Sequence, residues 1–162
     1  TIEVYQGKGA LLSLVSSELV THKHRRLLSF HGKAVSDGWL SILDPKEIQK
    51  RNELIIEHDI IVERFVPENE YRTLFKKFPR SWQETMIGRS HITHFLPDEY
   101  FKTRTELMMF SDIVMIYETH KQRIVAFRDK DTVNMYASMF EMMRSIGRKI
   151  NSEEEFQKYL SE

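Results

Sequence analysis

The sequence predicts an α/β fold, a mixed and mostly parallel sheet flanked by helices. Two observations carry this. Short runs rich in β-branched and aromatic residues, stopped by Gly or Pro, alternate with longer stretches of helical periodicity. Their order is strand–helix–strand, helix–strand, two helices, several strands and then helices, the order of a sheet with helices laid on it. With 162 residues, the chain reads as one domain over 1–162, long enough to bury roughly 70% of its unfolded surface.

The elements follow from local chemistry. Ile2 to Tyr5 alternates as a strand and ends at the turn Gly7-Lys8-Gly9. Leu11, Leu12, Val15 and Leu19 then recur at helical spacing, and Arg26 to Phe30 forms a short strand stopped by His31-Gly32. Asp44, Pro45 and Glu47 open the next helix as N-cap, first position and capping box. It continues through Ile48, Arg51, Asn52, Ile55 and Ile56 to His58. A strand from Ile60 to Val66 stops at Pro67, and helices from Glu68 to Phe78 and from Ser81 to Ile87 flank Pro79. His91 to Leu96 is a strand before Pro97, and a meander follows over Glu106–Phe110, Ile113–Glu118 and Arg123–Phe127. The longest helix is expected from Asp131 to Ile150, and a last one from Ser152, with Glu155 completing its cap.

That long helix is unusually apolar. At about 100° per residue, Asn134, Ser138, Glu141, Ser145 and Arg148 share a narrow stripe, while apolar residues cover roughly half the circumference. Either another helix flanks it, or the edge formed by Met135, Met139 and Met142 meets a partner subunit. Met suits adaptable contact surfaces and ordinary core gaps alike.

Composition narrows the function. Lys and Arg number 24, as do Asp and Glu, so the formal charge is zero, which argues against a dedicated nucleic-acid binder. With no Cys, thiol catalysis, iron–sulfur clusters and Cys-based zinc sites are excluded. No signal peptide and no apolar run near the ~20 residues of a membrane span is present, so a cytoplasmic protein without membrane contact is expected. Gly7-x-Gly9 lacks the third Gly of a phosphate loop and no Gly-x-Ser-x-Gly elbow exists. No cofactor is therefore expected.

Three constellations remain. His31-Gly32-Lys33 followed by Asp37 resembles the phospholipase D signature, but the Asp comes one residue early and no second copy exists. His22-x-His24 reads as part of a solvated basic turn, and His91 and His94 point to opposite faces of a strand. Neither pair makes a metal site, and no metal is expected. The clusters His22 to Arg26 and Lys76 to Arg80 read as solvated edges.

Three segments carry a resemblance. Residues 2–9, IEVYQGKG, look like the opening of the C-terminal effector domain of TrmB-like transcriptional regulators. Residues 106–127 resemble that family's strand, turn and strand, the turn here being Phe110-Ser111-Asp112. Residues 129–146 are similar to its closing helix, without the family's Trp. The resemblance implies a phospholipase-D-like fold lacking the catalytic motif, and a winged-helix DNA-binding domain upstream of Thr1. The expected function is then ligand sensing and dimerisation. A small-molecule effector, a sugar among the candidates, would modulate DNA binding through that upstream domain. Ligand is expected at the carboxyl ends of the strands, near Ser29, His31, Phe65, Phe95 and Asp98. The homodimer interface is expected at Met135, Met139 and Met142. No catalytic residue is assigned and the chain is not expected to be an enzyme. The alternatives are a phosphodiesterase or nuclease using His31 and Lys33, and an interaction module without ligand.

Overall fold

The computed structural model describes residues 1–7, 9–21, 23–32 and 44–162. One sheet of eight strands organises them: β1 (Ile2–Gln6), β2 (Arg26–His31), β3 (Ile61–Pro67), β4 (His91–Leu96), β5 (Thr105–Met109), β6 (Val114–Glu118), β7 (Arg123–Phe127) and β8 (Arg148–Ile150). The spatial order is β1-β7-β6-β5-β2-β3-β4-β8. Among the described residues six α-helices join them: α1 (Ala10–Leu19), α2 (Pro45–Glu57), α3 (Glu68–Lys77), α4 (Arg80–Ile87), α5 (Lys130–Ile146) and α6 (Ser152–Ser161).

The α/β class and the mixed sheet stand, but the sheet is mostly antiparallel. Only β2–β3 and β3–β4 pair in parallel. Every other ladder is antiparallel. The reason lies in the connections. The meander β5–β6–β7 uses short turns, which force antiparallel neighbours, whereas only helical crossovers return a strand in parallel.

Local chemistry sets the element ends. Gly7 and Gly9 have φ of 107° and 87°, a turn conformation that costs other residues a steric penalty. Asp44 caps α2 by accepting from the Lys46 amide at 2.8 Å. Asp129 caps α5 by accepting from the Thr132 amide at 2.9 Å. The cap of α6 is Asn151, whose Oδ1 accepts from the Glu154 amide at 3.1 Å, one residue earlier than expected. Ser152 instead turns inward to Thr93 Oγ1 at 2.7 Å. The long helix also stops at Ile146, before the expected Ile150. After Gly147 the chain straightens into β8 and pairs with the open side of β4, satisfying backbone groups that a helix would have left unpaired there.

The two faces of the sheet are covered unequally. On one face, α1 and α2 pack their Leu and Ile residues over Leu27, Val62, Met108 and Met115. On the same side, α3, α4 and α6 enclose an aromatic cluster of Tyr71, Phe75, Phe95 and Phe156. On the other face α5 packs Val133 and Phe140 over Leu28, Phe65, Met109 and Val114. Among the described residues no second helix flanks α5. Met135, Met139, Met142 and Ile146 are left 55%, 41%, 62% and 63% exposed. No helix among the described residues is long and apolar enough to cross a membrane.

Candidate functional site

Where β2, β3 and β5 run side by side, strand alternation turns one row of side chains toward α2 and α4. The row holds Leu27, Ser29 and His31 of β2, Val62 and Arg64 of β3, and Glu106 and Met108 of β5. From α2 come Ile48, Arg51 and Asn52, brought to one side by spacings of three and four residues. Phe78, Met86 and Arg89, before, within and after α4, close the far side. Together these residues line a cavity between the sheet and those two helices.

Its walls are apolar and its polar groups converge. Arg64 Nη1 donates to the Tyr71 hydroxyl at 2.5 Å, and the guanidinium lies 5.6 Å from the Tyr71 ring centre. Arg89 Nη1 donates to Asn52 Oδ1 at 2.5 Å and its Nε donates to His91 Nε2 at 3.1 Å. His31 Nε2 stands 3.7 Å from Glu106 Oε1. Two buried atoms of the lining, Arg64 Nε and His31 Nδ1, have no hydrogen-bond partner among the described residues.

The electrostatics follow from three guanidiniums brought into one largely buried space. Burial holds Arg51 down to about 10, with Arg64 pushing the same way and Glu106 opposing. Burial, then Arg64 and Arg51, lower Arg89 well below the usual arginine range. Burial and the same two arginines push His31 down to about 3. Burial, followed by Arg89 and Arg64, lowers His91 as well. At neutral pH both imidazoles are therefore uncharged, while the guanidiniums keep their protons. The cavity gathers arginines against apolar walls and leaves the Arg64 Nε donor without a partner among the described residues, an arrangement suited to a polar small molecule.

The five expected ligand residues separate. Ser29 and His31 line the cavity. Phe65, next to Arg64 on the strand, faces the other way, stacking on His94 at 4.6 Å and packing against Phe140 of α5. Phe95 lies in the neighbouring aromatic cluster with the Arg148 guanidinium 5.2 Å from its ring centre. Asp98 accepts from Asn69 Nδ2 at 3.1 Å, tying a short turn to the start of α3. Sequence reasoning missed Arg64, Arg89 and Glu106, and it read Arg51 and Asn52 only as parts of a helix. One signal was legible. Glu63-Arg64 is a charged pair inside a strand that is otherwise apolar, and parallel strands covered on both faces have no solvent side for charges.

Gly32 holds the exit of β2 against β5. A Cβ there would overlap the carbonyl oxygens of Thr103 and Thr105. Backbone cannot swing aside as a side chain can, so Gly32→Ala is expected to destabilise by about 3 kcal/mol. Urea titration checks this, and an unchanged midpoint would show that the two segments are free to separate.

His24 was expected in a solvated turn. It is 2% exposed, stacked on Phe110 at 4.5 Å, with Nε2 3.0 Å from Glu18 Oε2 and 3.8 Å from Asp112 Oδ1. These three ligand atoms lie within 4.8 Å of one another, yet Arg128 engages Glu18 at 2.6 Å and Lys23 engages Asp112 at 2.5 Å. The cations already neutralise both carboxylates, and the cluster ties α1 to the β5–β6 turn. The basic stretches are paired too: Arg26 bonds Glu63 at 2.9 Å and Lys76 meets Glu162 at 2.8 Å. His22, Lys33 and Asp37 lie outside the described residues.

No family model matches the sequence. No curated protein matches it either. Among solved structures the chain is similar to that of TrmBL2, described as an archaeal chromatin protein that shows a novel mode of DNA binding. The identity is 13%, the TM-score 0.57, and the match covers 92% of this chain. This chain spans about half of that one, 53% of its length. At such low identity the likeness shows a common fold, running through nearly all of this sequence.

Proposed function

We propose that this chain is the ligand-sensing and dimerisation part of a DNA-associated regulatory protein, taking a small-molecule effector in the cavity between the sheet and α2 and α4. The observation that carries the reading is the cavity itself. Convergent Arg51, Arg64 and Arg89 stand over apolar walls, with Arg64 Nε and His31 Nδ1 left without partners among the described residues. Native folds keep such buried polar atoms where a ligand or water completes them. The DNA association draws on the shared fold with TrmBL2 and on the resemblance to TrmB-like regulators. On this reading DNA contact would belong to a winged-helix domain outside this chain, whose own formal charge is zero.

The dimer would form on α5. Met135, Met139, Met142 and Ile146 are spaced by four, three and four residues, the seam of a helix that packs on another helix. Ser138 and Ser145 beside that seam are small and uncharged, so neither adds bulk or charge there. Ile2 of β1 extends the apolar surface: it is 66% exposed and pairs with Phe127 of the sheet face that α5 covers. Ligand occupancy would shift the relation between two protomers, and so between two DNA-reading heads. In sedimentation equilibrium the wild-type chain is expected to dimerise and Met139→Glu with Met142→Glu to give a monomer. Since both side chains are already exposed, folding stability should change by no more than about 0.5 kcal/mol. A wild-type monomer at every concentration would end the dimer reading.

No catalysis is proposed. The alternative, phosphodiester hydrolysis, would use His31 as nucleophile, and its neutral imidazole is consistent with that role. The two readings part on one assay. The sensing reading expects no hydrolysis of bis(p-nitrophenyl) phosphate above background, whereas turnover abolished by His31→Ala would establish the enzyme.

A further inference from the structure

Away from the cavity, one cluster brings unlike donors to a point. Glu18 stands near the end of α1, His24 in the loop that leads into β2, and Asp112 in the turn between β5 and β6. His24 Nε2 lies 3.0 Å from Glu18 Oε2 and 3.8 Å from Asp112 Oδ1. Glu18 is 5% exposed and His24 2%. Half of the Asp112 side chain reaches solvent, yet its Oδ1 is buried and has no hydrogen-bond partner among the described residues. A proton on His24 Nε2 serves Glu18 at 3.0 Å and leaves that oxygen beyond hydrogen-bond reach at 3.8 Å. A buried acceptor left so costs free energy unless something positive meets it.

Arg128 and Lys23 balance the charge of the cluster but do not close it. Arg128 donates Nη2 to Glu18 Oε1 at 2.6 Å, and Lys23 donates Nζ to Asp112 Oδ2 at 2.5 Å. Each carboxylate therefore spends one oxygen on a cation and turns the other toward His24. On the far side of the imidazole, Nδ1 and Ser111 Oγ stand 3.0 Å apart, and Phe110 stacks on the ring at 4.5 Å. All three donors thus have an outer partner that fixes their direction, as the ligands of metal sites do. We infer that Glu18 Oε2, His24 Nε2 and Asp112 Oδ1 bind a divalent transition-metal ion of the zinc type, with water as fourth ligand on the open side of Asp112. One imidazole nitrogen with carboxylate oxygens suits four-coordinate zinc. Calcium needs roughly six to eight oxygens, and the two cations already hold the outer ones. On binding, Nε2 gives its lone pair to the ion and the ring proton moves to Nδ1, which donates it to Ser111 Oγ. The ion fastens α1 to the β5–β6 turn. The nearby cations oppose its charge, so the site exchanges its ion and the chain folds without it.

The experiment takes the whole chain, stripped with EDTA and freed of chelator, and titrates it with Zn²⁺ and with Co²⁺ as a visible probe. About one equivalent of Zn²⁺ is expected to bind and to raise the melting temperature. Co²⁺ should show the intense visible bands of tetrahedral coordination, and Ca²⁺ and Mg²⁺ should leave the melt unchanged. His24→Gln is expected to abolish binding. Asp112→Asn, at a half-exposed position, should weaken Zn²⁺ about tenfold or more, and Ser111→Ala about tenfold. If His24→Gln fails to fold, Asp112→Asn decides. His120→Gln, at an exposed histidine, should change nothing. In nitrogen NMR, Zn²⁺ should hold His24 as the Nδ1–H tautomer. Zinc bound equally by the wild type and Asp112→Asn would reveal an adventitious ion only and overturn the site. Absence of saturable zinc binding by the wild type would overturn it as well.

Discussion

Acidification from about pH 7 to about pH 5 is expected to destabilise this fold, by about 2 kcal/mol from His31 alone, well before the carboxylates of a typical protein are protonated. The cause is His31 and His91. Burial, then Arg64 and Arg51, hold His31 at about 3, and burial with Arg89 and Arg64 lowers His91 from 6.5. Because both folded values are depressed, the unfolded chain binds more protons below the ordinary histidine range. Stability is thus full above about pH 6.5 and falls as pH drops toward the folded values. Near pH 5 His31 contributes about 2 kcal/mol of that loss, and His91 acts in the same direction. Glu106 beside His31 is the group that opposes the effect, and it stands at 3.7 Å. Urea titrations across the range measure the loss directly. His31→Gln and His91→Gln should each flatten the curve, and a stability that stays level from about pH 7 to about pH 5 would show that both rings are hydrated.

Glu63→Gln is expected to destabilise by about 3 kcal/mol. Glu63 sits on β3 beneath α5, 2% exposed, and gathers three partners. Arg144 of α5 donates Nη2 to Oε1 at 2.8 Å, Arg26 donates Nη1 to Oε1 at 2.9 Å, and His94 Nε2 lies 2.8 Å from Oε2. Burial alone would raise this carboxyl, but the hydrogen bonds from Arg144 and His94 dominate and hold it at about 2. Neutralising it strands two guanidiniums. Both keep contact with water, so the loss falls at the low end of the range for a broken buried pair. The pH signature separates this pair from the histidines. A depressed carboxyl stabilises above its ordinary 4.5, and that contribution vanishes as pH falls through about 2. Glu63→Gln should therefore abolish the limb between about pH 4.5 and about pH 2 while leaving the histidine limb untouched. An unaltered acid limb would mean that Arg144 is not bound to Glu63 in solution.

Much of the element order was legible. The β2 run Arg26–His31, the cap at Asp44, the strand stopped by Pro67 and the meander from Glu106 to Phe127 each rest on period, cap or breaker, all local properties. The apolar width of α5 was legible too, but the sequence left open whether another helix or a partner subunit meets its Met edge, and the structure leaves that edge exposed. The errors had one physical origin. The parallel count, the length of α5 and the environment of His24 depend on which segments meet, and a local pattern does not record that.

The sequence by itself determined which segments are strands and helices and which side of each is apolar. Backbone geometry ties side-chain direction to position with periods of 2 and 3.6 residues. Only the tertiary structure decided the site. Arg51 lies on a helix, Arg64 on a strand and Arg89 after another helix, in three elements with no shared period. They converge because parallel pairing of β2 with β3 and of β3 with β4 stacks those elements on one face of the sheet. Their mutual repulsion and the lowered basicity of His31 both arise from that convergence, since electrostatic coupling depends on distance in space and not on separation along the chain.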